Sequence, residues 1–175
     1  MPEKLYLLRE EIEWQLAMNG INKRAVFLDF DGVLFDTVKE AYCVSMISLG
    51  KASDVSDVNL AASHFHEFFR FRFLVGPAWN YYYMMQLIDE KNACPSLDIA
   101  ASFRDAIRHA DPVKHSPFEA NFFKTRKFLR ETNYQVWLSL ITPYEFVNEL
   151  RDLMEGHLEK FFLITTRDRD SVLHI

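Results

Sequence analysis

The chain has 175 residues, 49% of them hydrophobic and 16 of them Phe, which suits one domain, or a small core with an insertion, around a sizeable aromatic core. Its net charge of -5, with acids and bases interspersed, argues against a nucleic-acid surface. The two cysteines, Cys43 and Cys94, lack metal-ligand spacing and suggest no disulfide framework, so a reducing cytoplasm is the default; no run approaches a membrane span, and the charged N-terminus is not a signal peptide.

Residues 3–18 place Leu5, Leu8, Ile12 and Leu16 on one face, which predicts an amphipathic helix ended by Gly20. Residues 24–30 read as the first strand. Its apolar run finishes in Asp29 and Asp31, with Gly32 next and Asp36 and Thr37 close behind. Alternate residues of a strand point the same way, so Asp29 and Asp31 should project together. Carboxylates that close repel each other. They stay ionised with a cation between them, or one takes up a proton. The first outcome is a hard oxygen site for magnesium; the second is a nucleophile beside a proton donor. A helix should start at Thr37, because Thr37 and Glu40 have capping-box spacing.

The pattern from about residue 53 to 134 is helical throughout. Its segments are 58–74, broken by Gly76 and Pro77; 79–90, broken by Cys94, Pro95 and Ser96; 97–109; and a helix opened by Ser116, Pro117 and Glu119 that runs to about Thr132. Phe65, Phe68, Phe69 and Phe73 read as core; Arg70 and Arg72 could reach a substrate anion, but read rather as surface. His64 and His66, two apart on a helix, face differently, which argues against a metal site. Thr142, Pro143 and Glu145 repeat the helix-start signal. The helix they open carries Phe146, Val147, Leu150 and Leu153 on one face and stops near Gly156. Residues 161–165 read as a second strand, apolar like a parallel strand covered on both faces. Arg167, Asp168 and Arg169 read as a solvated turn and helix start. The order strand, helical insertion, helix, strand predicts a parallel pair joined by a right-handed crossover. Asp29, Asp31 and Thr165 then fall at the carboxyl ends of the strands, where ligands bind in such sheets.

Residues 29–37 resemble the first motif of the haloacid-dehalogenase-like (HAD) superfamily, Asp-x-Asp-Gly-Val-x-x-Asp-Thr. Residues 161–166 are similar to its second motif, four apolar residues followed by Thr or Ser. The resemblance implies a HAD-like Rossmannoid α/β core, with only part of the parallel sheet present, over residues 1–40 and 135–175. It implies an inserted all-helical cap over residues 41–134 that excludes water from the site. It further implies a magnesium-dependent phosphatase acting on a small phosphorylated metabolite through an aspartyl-phosphate. Asp29 would be the nucleophile and Asp31 the acid/base. Gly32, Thr165 and the N–H of Thr166 would hold the phosphoryl group. Magnesium would take a side-chain oxygen of Asp29 and the backbone carbonyl of Asp31. The dehalogenase branch lacks the second Asp, so Asp31 favours phosphoryl transfer. Trp79, Tyr81, Tyr82 and Tyr83 are candidates to line the cleft between cap and core.

In the family, a third-motif Lys or Arg and fourth-motif acids follow the second motif. Here nine residues follow Thr166. The expectation is a chain truncated after the second motif and weakly active or inactive alone, with Lys124 or Lys127 as stand-ins for the missing cation. Two strands alone leave edges and apolar faces that a homo-oligomer could cover. The rival readings are a non-catalytic remnant that binds a ligand or partner, and a phosphomutase fragment sharing the first motif.

Overall fold

A computed structural model describes residues 25–154 and 161–175. The helix expected over residues 3–18, the stop near Gly156 and the side chain of Leu153 lie outside the described residues. In chain order the elements are β1 (Val26–Leu28), β2 (Phe35–Asp36), α1 (Val38–Ser48), α2 (Ser63–Phe71), α3 (Asn80–Ala93), α4 (Ile99–Arg108), α5 (Pro112–Thr132) and α6 (Tyr134–Ser139). After these come β3 (Thr142–Pro143), α7 (Phe146–Met154), β4 (Phe161–Leu163) and α8 (Arg169–Leu173). Short 3₁₀ turns occupy Val55–Asp57 and Arg72–Leu74. The chain divides into two compact units, one of residues 1–29 and 145–164, the other of residues 30–144 and 165–175.

In the first unit β1 and β4 pair in parallel, with Val26, Phe27 and Leu28 opposite Phe161, Phe162 and Leu163. The ladder continues through Ile164, whose N–H donates to the Leu28 carbonyl at 2.8 Å. Phe27 and Phe162 stack across it at 5.4 Å. The pairing is the one predicted from element order, but the strands are less covered than a doubly buried parallel strand. Val26, Phe27 and Leu163 are 40%, 46% and 43% exposed. β1 also stops at Leu28. The strand alternation expected to align Asp29 with Asp31 therefore does not reach either residue.

The second unit begins with a tight turn. The N–H groups of Leu34 and Phe35 both donate to the Phe30 carbonyl, at 3.1 and 3.0 Å, and the N–H of Gly32 donates to the Phe35 carbonyl at 2.8 Å. Gly32 sits at φ +80°, which only glycine adopts without strain. β2 then pairs antiparallel with β3, Asp36 opposite Thr142 and Phe35 opposite Pro143. So Thr142 and Pro143 form an edge strand, where a proline's missing N–H costs nothing, and not the expected helix start.

Two further helix starts differ from expectation. Thr37 does precede α1, yet its side chain makes no capping hydrogen bond; the Asp36 carboxylate accepts the Val38 N–H instead, at 3.0 Å. Glu40 is turned into the interior. α5 starts at Pro112, not at Ser116, because Asp111 and Pro112 are themselves a cap and first-turn pair: the Asp111 carboxylate accepts the Val113 N–H at 3.0 Å. Pro117 is thereby carried inside the helix. Residues 41–134 hold helices and turns and no strand.

The core of this unit is built where α1 packs on α5 and α3 packs on α2, α4 and α5. Val44, Phe68, Met84, Ile88, Phe122 and Trp137 are all fully buried. Each such side chain contributes about 1.5–3 kcal/mol. Tyr81 stacks between Phe68 and Phe122, at 5.7 and 5.3 Å. Phe65 and Phe68 are core as expected, whereas Phe69 and Phe73 are 58% and 77% exposed. α2 ends at Phe71, so its periodicity does not carry to Phe73, and Phe69 falls at the rim of the buried stripe. Cys43 is buried, which pushes its thiol up to about 12, while Cys94 is exposed; both are free.

One polar relay ties three helices together. The Tyr42 hydroxyl and His64 Nδ1 share a hydrogen bond of 3.0 Å, and His64 Nε2 reaches Asp89 at 3.2 Å, which Lys51 also contacts. Burial holds the His64 pKa below its ordinary value of 6.5, although Asp89 opposes that. Below pH 6.5 the unfolded chain therefore takes up the proton before the folded one. This contribution to stability is full above that pH and is lost as pH falls through the folded value. Urea midpoints at pH 8 and pH 5.5 should drop more for the native chain than for His64→Gln; equal drops would contradict this.

Candidate functional site

The site is built on Glu40, in the first turn of α1, whose side chain is completely buried. Arg126 of α5 grips it with two bonds, Nε to Oε1 at 2.7 Å and Nη2 to Oε2 at 3.1 Å. The Trp137 indole N–H donates to Oε1 at 3.2 Å, and Arg167 Nη2 stands 3.2 Å from the same oxygen. Burial alone would raise the Glu40 pKa. The Arg126 and Arg167 guanidiniums overcome it and hold the carboxyl below its ordinary value.

Arg126 and Arg130 lie one helical turn apart and reach the same carboxylate. Arg126 Nη1 is 3.4 Å from Asp168 Oδ2, and Arg130 Nη1 is 3.2 Å from Asp168 Oδ1. Arg130 also donates to Ser171 Oγ at 2.9 Å. Asp168 in turn caps α8 by accepting the Ser171 N–H at 2.8 Å. Burial would raise its pKa as well, but the bonds from Ser171 and the two guanidiniums lower it overall. The network anchors residues 165–175 to the helices.

Arg167 joins this network to the first motif. Its side chain is completely buried, lies over the Phe30 ring at 5.5 Å, and donates from Nη1 to Asp31 Oδ1 at 2.9 Å. The turn at Gly32 presents Asp31. The Thr165 hydroxyl accepts the Arg167 backbone N–H at 3.1 Å, so it shapes the turn that carries Arg167. Asp31, Thr166, Arg167, Arg72, Arg126 and Tyr81 border a cleft of ≈ 30 Å³. A larger cavity, of ≈ 340 Å³, shares no residue with that cleft; Asn121, Lys124 and Phe128 help to line it.

Of the expected site residues, Asp31 and Thr166 meet at the small cleft, with Thr165 adjoining through Arg167. Asp29 is exposed, directly after β1, and belongs to the first unit. Among the aromatic candidates Tyr81 lines the cleft. Trp79 stacks on His115 at 4.4 Å, Tyr83 packs edge-on against the same ring, and Tyr82 packs on Phe118. Lys124 lines the larger cavity, and Lys127 reaches Glu131 at 3.8 Å on the surface, so neither is the cation beside Asp31.

That cation is Arg167, read from the sequence as part of a solvated turn. The legible sign was elsewhere. Arg126 and Arg130 interrupt the apolar stripe of Phe118, Phe122 and Leu129 on α5, and buried charges in such a stripe need carboxylates.

The cleft is lined by three guanidiniums and one carboxylate, a balance suited to an oxyanion. The same balance is unsuited to a divalent cation. Asp31 is already bonded to a guanidinium, and among the described residues no three His, Cys, Asp or Glu side chains gather to hold a metal. As placed, the Asp31 carboxylate serves Arg167 rather than a cation. Among the described residues no helix is long and apolar enough to cross a membrane. No family model, curated protein or solved structure matches the chain.

Proposed function

We propose that this chain is a HAD-like phosphoryl-transfer protein acting on a small phosphorylated metabolite, with Asp29 as the nucleophile, and that it turns over slowly on its own. One observation carries the reading. Asp31, from the first motif, Thr166, from the second, and Arg167, which follows it, border one cationic cleft although Asp31 and Arg167 are 136 positions apart. The parallel pairing of β1 with β4 agrees with it. Arg167 would meet the transferring group's negative charge, the role the resemblance assigns to a Lys or Arg further along the chain.

The Asp31–Arg167 bond also favours a second reading, a non-catalytic protein that binds an anionic ligand. A guanidinium keeps its proton at any working pH, so it cannot act as a proton relay for Asp31. Turnover of a panel of phosphate monoesters, with and without added magnesium and with Asp29→Asn as the blank, separates the two. Slow hydrolysis that disappears in Asp29→Asn supports transfer. Rates equal in the two proteins support binding alone.

A further inference from the structure

The cleft beside Asp31 holds donors that the fold leaves unused. Arg167 Nε is buried and has no hydrogen-bond partner among the described residues. Its Nη2 makes the ion pair with Glu40 but no well-aligned hydrogen bond. Arg72 reaches the same cleft from the 3₁₀ turn after α2. Its Nη1 donates to the Val75 carbonyl at 3.1 Å, its guanidinium lies over Tyr81 at 5.1 Å, and its Nε is likewise buried without a partner. Among the described residues Arg72 forms no ion pair. Buried N–H groups without acceptors are costly and uncommon. Here two belong to arginines brought to one cleft from distant parts of the chain.

We propose that this cleft is an oxyanion site that takes one phosphate group, free or at the end of a monoester, on Arg72 and Arg167. The volume of ≈ 30 Å³ is room for about two waters, so the occupant is a single small anion group and the rest of any ester lies outside. A tetrahedral dianion has enough acceptor oxygens for both guanidiniums, and its two charges answer both. Asp31 competes with the anion for Arg167, so ligand affinity and the Asp31–Arg167 bond oppose each other. The inference deepens the phosphoryl-transfer reading, on which it rests for the choice of phosphate, but binding can be measured without turnover.

Isothermal titration of the full chain with inorganic phosphate, and separately with methylphosphonate as a stable ester mimic, tests it at constant ionic strength. Saturable binding is expected, weakened about tenfold or more in Arg72→Gln, less in Arg72→Lys, and tightened several-fold in Asp31→Asn. Binding of both ligands assigns the site to esters; binding of phosphate alone assigns it to the free ion. Arg72 is the informative position because it lies outside the Glu40 network, and circular dichroism checks that its variants fold. No saturable binding in either the native chain or Asp31→Asn overturns the proposal, as does unchanged affinity in Arg72→Gln. Arg72-dependent binding without any monoester turnover leaves this inference standing and removes the catalytic one. Asp29-dependent turnover with Arg72-independent binding does the reverse.

Discussion

Replacing Glu40 by Ala should cost about 3–5 kcal/mol of folding stability, the largest single effect expected in this chain. The reason is what is left behind. Glu40 is fully buried, and its two oxygens meet Arg126, Arg167 and Trp137. The side chains of Arg126 and Arg167 are only 7% and 0% exposed, so removing the carboxylate leaves each buried guanidinium with one carboxylate, Asp168 or Asp31, in place of two. The surface pair of Lys127 and Glu131, both more than half exposed, should contribute no more than about 0.5 kcal/mol. Urea unfolding of Glu40→Ala beside Glu131→Ala measures both at once. A loss below about 1 kcal/mol for Glu40→Ala would mean that the network relaxes or hydrates freely. The same carboxylate sets an acid limit. Its folded pKa lies below the ordinary value of 4.5, so its contribution is full above that pH and is lost as pH falls through the folded value.

Monoester hydrolysis by this chain should depend steeply on the leaving group. General acid assistance is worth about 100- to 10,000-fold, and it matters most when the departing alkoxide is a poor leaving group. Asp31 is the acid implied by the resemblance, yet its Oδ1 accepts a bond from Arg167, which does not release its proton. Nitrophenyl esters, which leave without help, should therefore be hydrolysed at least about 100-fold faster than simple alkyl esters. Rates that vary less than tenfold across such a series would show that Asp31 does donate a proton, and that Arg167 moves away during turnover.

The parts of this fold that sequence reveals are those written in contiguous residues. Asp29, Asp31 and Gly32 announce a special turn after an apolar run, and the glycine's positive φ is what the turn requires. Element order was enough to predict that β1 and β4 run parallel. Structure and local pattern part where a local signal has a competitor. Ser116 to Glu119 looks like a helix start, but Asp111 and Pro112 stand upstream and begin the helix first. Thr37 and Glu40 have capping-box spacing, but Glu40 finds a better partner in Arg126, 86 positions away. No local pattern encodes that distance, and it is also why Arg167, followed by Asp168 and Arg169, reads as a surface turn. Arg72 joins the cleft through tertiary packing alone.

The most direct test of the account is whether Asp29 accepts a phosphoryl group. The full chain is incubated with a small phospho-donor such as acetyl phosphate, reduced with borohydride to trap any aspartyl-phosphate, and digested for mass spectrometry. The account predicts a trapped label at Asp29 that is absent from Asp29→Asn and present, at a changed level, in Asp31→Asn. Phosphate binding at the cleft with no label on Asp29, or a label on another carboxylate, would contradict it.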